Sequence, residues 1–210
     1  MKHLILLLAC VLSSVSLAQE STKSSPLTLP ADPGTKGSIY DLDSKWRTQD
    51  NKEVSLQDLT GKVRVVAMGY TSCKYACPRI IADLKRIEIE LTGTEEGADR
   101  VSISFISIDP ETDTPKRMKK LEKDYNMAAK RWLLLTGDED GVLELAVALG
   151  MKYRQTTALD FAHSNIITVL APDGRIVHQT SELGTDLSKT LTAIRTSAAA
   201  IKPKNEAPNG

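Results

Sequence analysis

The stretch Val63-Arg64-Val65-Val66-Ala67-Met68-Gly69-Tyr70-Thr71-Ser72-Cys73-Lys74-Tyr75-Ala76-Cys77-Pro78 carries the strongest structural signal in the chain. Its first six residues form a short, β-branched, apolar run of the kind that becomes a strand buried on both faces. Gly69 to Cys73 breaks that pattern, and a helix follows. Pro78 suits the first helical turn, where its missing N–H has no intrahelical partner to lose. Beyond it Ile80, Leu84, Ile87 and Leu91 recur at helical spacing on one face, and Asp83, Lys85, Arg86 and Glu90 are assigned to the others. A cysteine pair therefore sits at a strand-to-helix junction.

Further along, Val101 to Ile108 reads as a second strand, Thr114-Pro115 opens a charged helix running to about Tyr125, and Trp132 to Thr136 is a third strand. Asp138 caps a helix with Val142, Leu145, Ala146 and Leu149 on one side, ended by Gly150. Met151 to Arg154 reads as a short strand. Asn165 to Leu170 and Arg175 to Thr180 flank Ala171-Pro172-Asp173-Gly174, a hairpin signal. Thr185 opens a last amphipathic helix.

Upstream of that stretch, Ile39-Tyr40 and Lys45-Trp46-Arg47 are short strand candidates, followed by a turn at Gln49 to Lys52. Ser55 to Leu59 is a helical turn closed by Gly61. Strands alternating with helices imply a largely parallel sheet, to which the closing hairpin adds antiparallel strands. The expectation is an α/β protein with a thioredoxin-like fold, because that fold keeps its chemistry between the first long strand and its helix.

The 210-residue chain is long enough for one domain with tails. Its formal net charge of zero gives no reason to expect nucleic acid or an anionic membrane surface as partner. Lys2 and His3, the apolar run Leu4 to Leu12 and Ser16-Leu17-Ala18 read as a cleavable secretory signal, residues 1–18. Residues 19–37 are rich in Ser, Thr, Pro and Gly and read as a flexible leader to a domain over 38–200, with a disordered tail over 201–210. The expectation is an exported, periplasmic protein. Two rival readings lipidate Cys10 or keep the leader as an anchor on the outer face of the inner membrane.

Cleavage after Ala18 leaves Cys73 and Cys77, too few for a disulfide scaffold. Cys73 is expected in the loop and Cys77 at the helix start, where N–H groups favour thiolate. Two converging thiolates either form a disulfide or grip a soft metal, and an inert bridge stays open on spacing alone. Thiolates with an imidazole suit Cu(I) and zinc, while structural zinc normally takes four protein ligands. Of the three histidines, His3 leaves with the signal and His178 falls on an expected edge strand, facing solvent. His163, in Asp160-Phe161-Ala162-His163-Ser164, lies at a loop end before a buried strand.

Gly69 to Pro78 resembles the signature of the SCO/SenC family, thioredoxin-like copper proteins associated with cytochrome c oxidase assembly. Ser107-Ile108-Asp109-Pro110-Glu111-Thr112-Asp113-Thr114-Pro115 resembles its second block, and His163-Ser164 followed by a strand and Pro172-Asp173-Gly174-Arg175 its third. The resemblance covers about residues 38 to 196. It implies a central mixed sheet flanked by helices with an added N-terminal β-hairpin, and copper held by Cys73, Cys77 and His163. It implies delivery of copper to the copper centre of an oxidase subunit. The alternative is thiol–disulfide exchange on a cysteine-containing client, Cys73 attacking and Cys77 resolving. A monomer is the default for this fold.

Asp109 and Asp113 are expected to organise the loop beside the site. Lys74 stands where many members have proline, and its ammonium is expected to favour thiolate. Ala162 stands where an acid is common, leaving Asp160 as the candidate to orient His163.

Overall fold

The structure, a computed structural model, describes residues 37–92, 94, 99–158 and 160–201. The stretches read as a signal and as most of a leader, with His3 and Cys10, and the residues beyond Ile201 lie outside the described residues.

The quoted apolar run becomes β3 (Val63–Gly69), every residue of which is buried. β4 (Val101–Ser107) lies parallel to it in register from Val63 opposite Val101 to Gly69 opposite Ser107. β5 (Trp132–Thr136) extends the parallel set on the far side of β4. Parallel neighbours need crossover connections, and these are supplied by α1 (Ala76–Glu90) and α2 (Pro115–Asp124). α3 (Glu139–Ala148) follows β5, with the Asp138 side chain accepting from the Gly141 N–H as its cap. The N-terminal hairpin, β1 (Lys45–Thr48) and β2 (Glu53–Ser55), pairs antiparallel with β5. The C-terminal hairpin, β8 (Ile167–Leu170) and β9 (Ile176–Thr180), pairs antiparallel with β3. The resulting order, β2-β1-β5-β4-β3-β8-β9, is the expected central mixed sheet with an added N-terminal hairpin. α4 (Ser188–Ala199) closes the chain against β9 and β3.

Several local expectations change. Ile39–Asp41 is a 3-10 turn rather than a strand, because Ser38 and Asp41 cap it reciprocally. Asp83, assigned to a face other than the apolar one, is only 2% exposed. Its carboxylate accepts from the Gly184 N–H at 2.6 Å and from Arg86 at 2.9 Å, tying α1 to the loop before α4. Arg64, inside the apolar run, is buried as well; its guanidinium donates to Ser102, Ser104 and the Leu59 carbonyl. The last helix starts at Ser188, three residues later than the sequence suggested.

The largest difference lies between α3 and β8. The expected Met151–Arg154 strand is β6 (Tyr153–Thr157), and Asp160 to His163, read as loop, is β7 (Asp160–His163). They form a separate two-stranded sheet, with Tyr153 opposite His163. β7 spans only four residues, too few for its alternation to stand out from a loop.

Candidate metal centre

β3 ends at Gly69, whose carbonyl accepts from the Ile108 N–H at 2.8 Å, so the exits of β3 and β4 are held side by side. A turn follows, closed by the Cys73 N–H donating to the Tyr70 carbonyl. Asp113 anchors it from the β4–α2 connection. Its carboxylate accepts from the Thr71 N–H at 2.9 Å, from the Thr71 hydroxyl, and from the Ser107 hydroxyl at 2.7 Å. Burial pushes the Asp113 carboxyl upward against those donors. The Asp113 N–H in turn donates to the Asp109 carbonyl, and Asp109 Oδ1 accepts from the Thr112 N–H. Both aspartates organise the loop, as expected.

At the start of α1, Tyr75 gives no side-chain cap. The Cys73 sulfur fills that role by accepting from the Cys77 N–H at 3.3 Å. Burial opposes ionisation of Cys73. The N–H and thiol of Cys77 and the N–H groups of Tyr75 and Ala76 outweigh it, and the Cys73 pKa lies below the ordinary thiol value. The hydrogen bonds that stabilise the thiolate thus come from the helix start, while Lys74, expected to do so, is exposed. Cys77 is the opposite case. It is buried, and burial first and the adjacent Cys73 second push its pKa far up. Its sulfur accepts from the Tyr70 N–H at 3.5 Å and sits over Gly69, where any side chain would collide with it.

His163, the last residue of β7, brings its ring to this pair, with Nε2 4.0 Å from Cys77 Sγ. Nδ1 lies 3.0 Å from the Ser164 carbonyl oxygen. A carbonyl can only accept, so the proton resides on Nδ1 and the Nε2 lone pair is left for the sulfurs' side. The backbone of Ser164 therefore does the orienting expected of Asp160. Asp160 instead lies 3.5 Å from the Tyr70 hydroxyl, which also accepts from the Phe161 N–H at 3.2 Å. Burial pushes that hydroxyl up to about 12, so it stays protonated at any ordinary pH. The Tyr70 ring meets His163 edge-on at 5.8 Å and Phe161 at 5.1 Å. Tyr70, one residue past β3, thereby clasps the hairpin that carries the histidine.

The ligand atoms of Cys73, Cys77 and His163 all lie within 4.8 Å of one another, and the two cysteines are unbridged. Two sulfurs and a neutral imidazole are a donor set for a soft ion, and three donors leave room for ligand exchange. The fit to Cu(I) is good. His178 belongs elsewhere and is not solvent-facing as expected: it is half-buried in β9 and hydrogen-bonds Thr190 of α4 at 3.0 Å. Sequence reading missed Tyr70, Phe161 and the steric role of Gly69. The spacing of Phe161 and His163 on one face of β7 was the available signal for Phe161.

Known proteins resemble this chain in sequence and in fold. The SCO1 protein homolog of Bacillus subtilis is 30% identical over 135 residues, 63% of this chain and 68% of that protein. The crystal structure of Arabidopsis thaliana ScoI with copper bound superposes with a TM-score of 0.64 at 22% identity, covering 73% of this chain and 96% of that one. The structure of BsSco, a member of the Sco family of cytochrome c oxidase assembly proteins, superposes with a TM-score of 0.65 at 24% identity, covering 74% and 91%. These neighbours share the fold, and a family described as SCO1/SenC matches residues 36–199, which takes in the sheet, both cysteines and the histidine. On that span of agreement, the chain belongs to the SCO1/SenC family.

Proposed function

We propose that the protein is a copper chaperone that binds one copper ion through Cys73, Cys77 and His163 and passes it to the cysteines of a client, the copper subunit of a respiratory oxidase. The observation that carries this reading is the convergence of the three ligand atoms within 4.8 Å at a strand-to-helix junction. Family membership supports it, as do a relative crystallised with copper and another described as an oxidase assembly protein. Cargo is released by ligand exchange: each client thiolate that joins a three-donor site takes the place of one protein ligand. Cys73, half-buried and with its pKa lowered by the N–H groups at the helix start, is the sulfur a client reaches first. Cys77 and His163, the sulfur buried and the ring fixed at Nδ1, keep the ion oriented meanwhile.

Anaerobic titration of the reduced domain with Cu(I) tests this. One-to-one binding is expected, weakened by at least about 100-fold in His163→Ala, since loss of a ligand exceeds the effect of losing its supporting partner. Binding indifferent to His163 would sink the reading.

A second reading is favoured by the contrast between the two thiols. The Cys73 thiolate attacks a client disulfide, forming a Cys73–client disulfide and releasing the first client sulfur as thiolate. Cys77, no longer facing the Cys73 charge that helped to raise it, gives its proton to that thiolate and attacks Cys73 Sγ, so that a Cys73–Cys77 disulfide forms and the second client sulfur leaves. It requires His163→Ala to keep reductase activity while losing copper. Export of the domain, with removal of residues 1–18 or their retention as a membrane tether, belongs to the same proposal. Among the described residues no helix is long and apolar enough to cross a membrane.

A further inference from the structure

We propose that a groove beside the metal centre is the docking site for the client, and that it takes a basic, extended, cysteine-bearing segment of that protein. The inference rests on the client reading above. The groove, of about 320 Å³, runs between the turn after β4, the first turn of α3 and the β6–β7 hairpin. Its volume is at the small end of ligand sites, suited to the side chains of a segment rather than to the face of a domain. Leu143, Tyr153 and Phe161 give it apolar surface, and Leu143 is 51% exposed in the absence of a partner.

Two features select the occupant. The first is charge. Asp109, Glu111, Glu139 and Asp140 line the groove, and among the described residues no lysine, arginine or histidine does; Arg154 lies between two lining residues of β6 without joining them. Because the whole chain has a formal net charge of zero, this acidity is local rather than a property of the whole molecule, and it favours a basic partner at this groove. The second feature is continuity with the metal centre. Phe161 walls the groove and shares one face of β7 with His163, both half-buried while Asp160 and Ala162 are exposed. Its ring packs on Tyr70, which packs on His163. A segment lying in the groove therefore meets the ligands across one aromatic pair, and a cysteine within it would be presented to Cys73.

The test uses three synthetic peptides of equal length, each with a central cysteine blocked as a mixed disulfide with nitrothiobenzoate. The cysteine is flanked by lysines in the first, by glutamates in the second and by serines in the third. The Cys73 thiolate attacks the peptide sulfur, a peptide–Cys73 disulfide forms, and coloured nitrothiobenzoate leaves with the electron pair of the broken bond. At low ionic strength the lysine peptide is expected to react at least about tenfold faster than the glutamate peptide, the serine peptide falling between, with the ratio approaching one at high salt. In the E111Q/E139Q/D140N variant, checked for folding by circular dichroism, the ratio should fall about threefold or more. Its Cu(I) affinity should match wild type. A ratio near one in the wild type, or a ratio the variant leaves unchanged, overturns the docking proposal. Neither result touches the copper titration, and a failed titration leaves this assay intact, so the two readings fail separately.

Discussion

Replacing Gly69 with alanine should destabilise the protein and damage the metal centre together. On backbone grounds the change ought to help, because glycine within a strand costs about 0.5–1 kcal/mol relative to alanine. The surroundings reverse the sign. A Cβ at this position would sit 2.8 Å from Cys77 Sγ and 2.8 Å from Phe105 Cζ. Non-bonded carbon contacts are comfortable at about 3.5–4.0 Å, so each approach is too close by about 1 Å. Neither neighbour can yield freely. Phe105 is wholly buried in the central strand β4, and Cys77 is fixed at the start of α1 against the Tyr70 N–H. Overpacking of this kind costs about 1–3 kcal/mol. A value near 2 kcal/mol corresponds to a fall in Tm of about 4–8 °C for a domain of this size. Relief through the sulfur would move Cys77 away from His163 Nε2, now 4.0 Å distant, and Cu(I) affinity should drop at least about tenfold. Urea unfolding of the apo-protein and a Cu(I) competition titration read the two effects. An alanine variant as stable as wild type with undiminished copper affinity would refute the packing argument.

Other perturbations separate the roles of the neighbouring groups. Alkylation of Cys73 by iodoacetamide, followed by mass spectrometry, should show a midpoint below the free-thiol value of about 8.5, because lowering pH must go further to reprotonate a thiolate held by helix N–H groups. Cys77 should remain unmodified across the same range, and a Cys73 midpoint at or above 8.5, roughly the free-thiol value, would count against the helix-start origin of the shift. Asp113→Ala should cost about 2–4 kcal/mol in urea unfolding, since it strands the half-buried Thr71 N–H and frees the Thr71 hydroxyl and the buried Ser107 hydroxyl. A cost under about 0.5 kcal/mol, the range of an ordinary surface change, would show that the loop does not depend on it. Tyr70→Phe keeps the ring and removes the acceptor of the Phe161 N–H, so amide exchange in β6 and β7 should quicken by about tenfold while β3 and β4 stay protected. Equal exchange in both proteins would remove Tyr70 as the clasp.

The parts of this structure legible in the sequence are those whose signal is local. The run Val63 to Met68 is long and apolar enough that its strand could be placed to within a residue, and Thr114-Pro115 and Asp138 marked helix starts through capping chemistry. That Cys73 and Cys77 sit together at a strand-to-helix junction was legible for the same reason: strand, loop and helix start follow one another along the chain. His163 was not. Its place opposite the cysteines depends on a two-stranded sheet outside the main one, whose strands pair across residues 153 to 163 and are held by Tyr70, some 90 residues away in sequence. Only the resemblance of the third block pointed to it. Buried Asp83 and Arg64 escaped for a related reason, because their partners, the Gly184 N–H and the hydroxyls of Ser102 and Ser104, come from elsewhere in the chain. Lys74 misled because proximity in sequence stood in for proximity in charge, whereas the peptide N–H groups beside Cys73 supply the stabilisation.

The most direct measurement is X-ray absorption at the copper edge on the one-to-one Cu(I) complex of the reduced domain, compared with its His163→Ala variant. Two sulfurs and one imidazole nitrogen in the wild type, with the nitrogen lost in the variant, would establish the Cys73–Cys77–His163 site. A sulfur-only shell, or a spectrum the variant leaves unchanged, would contradict it.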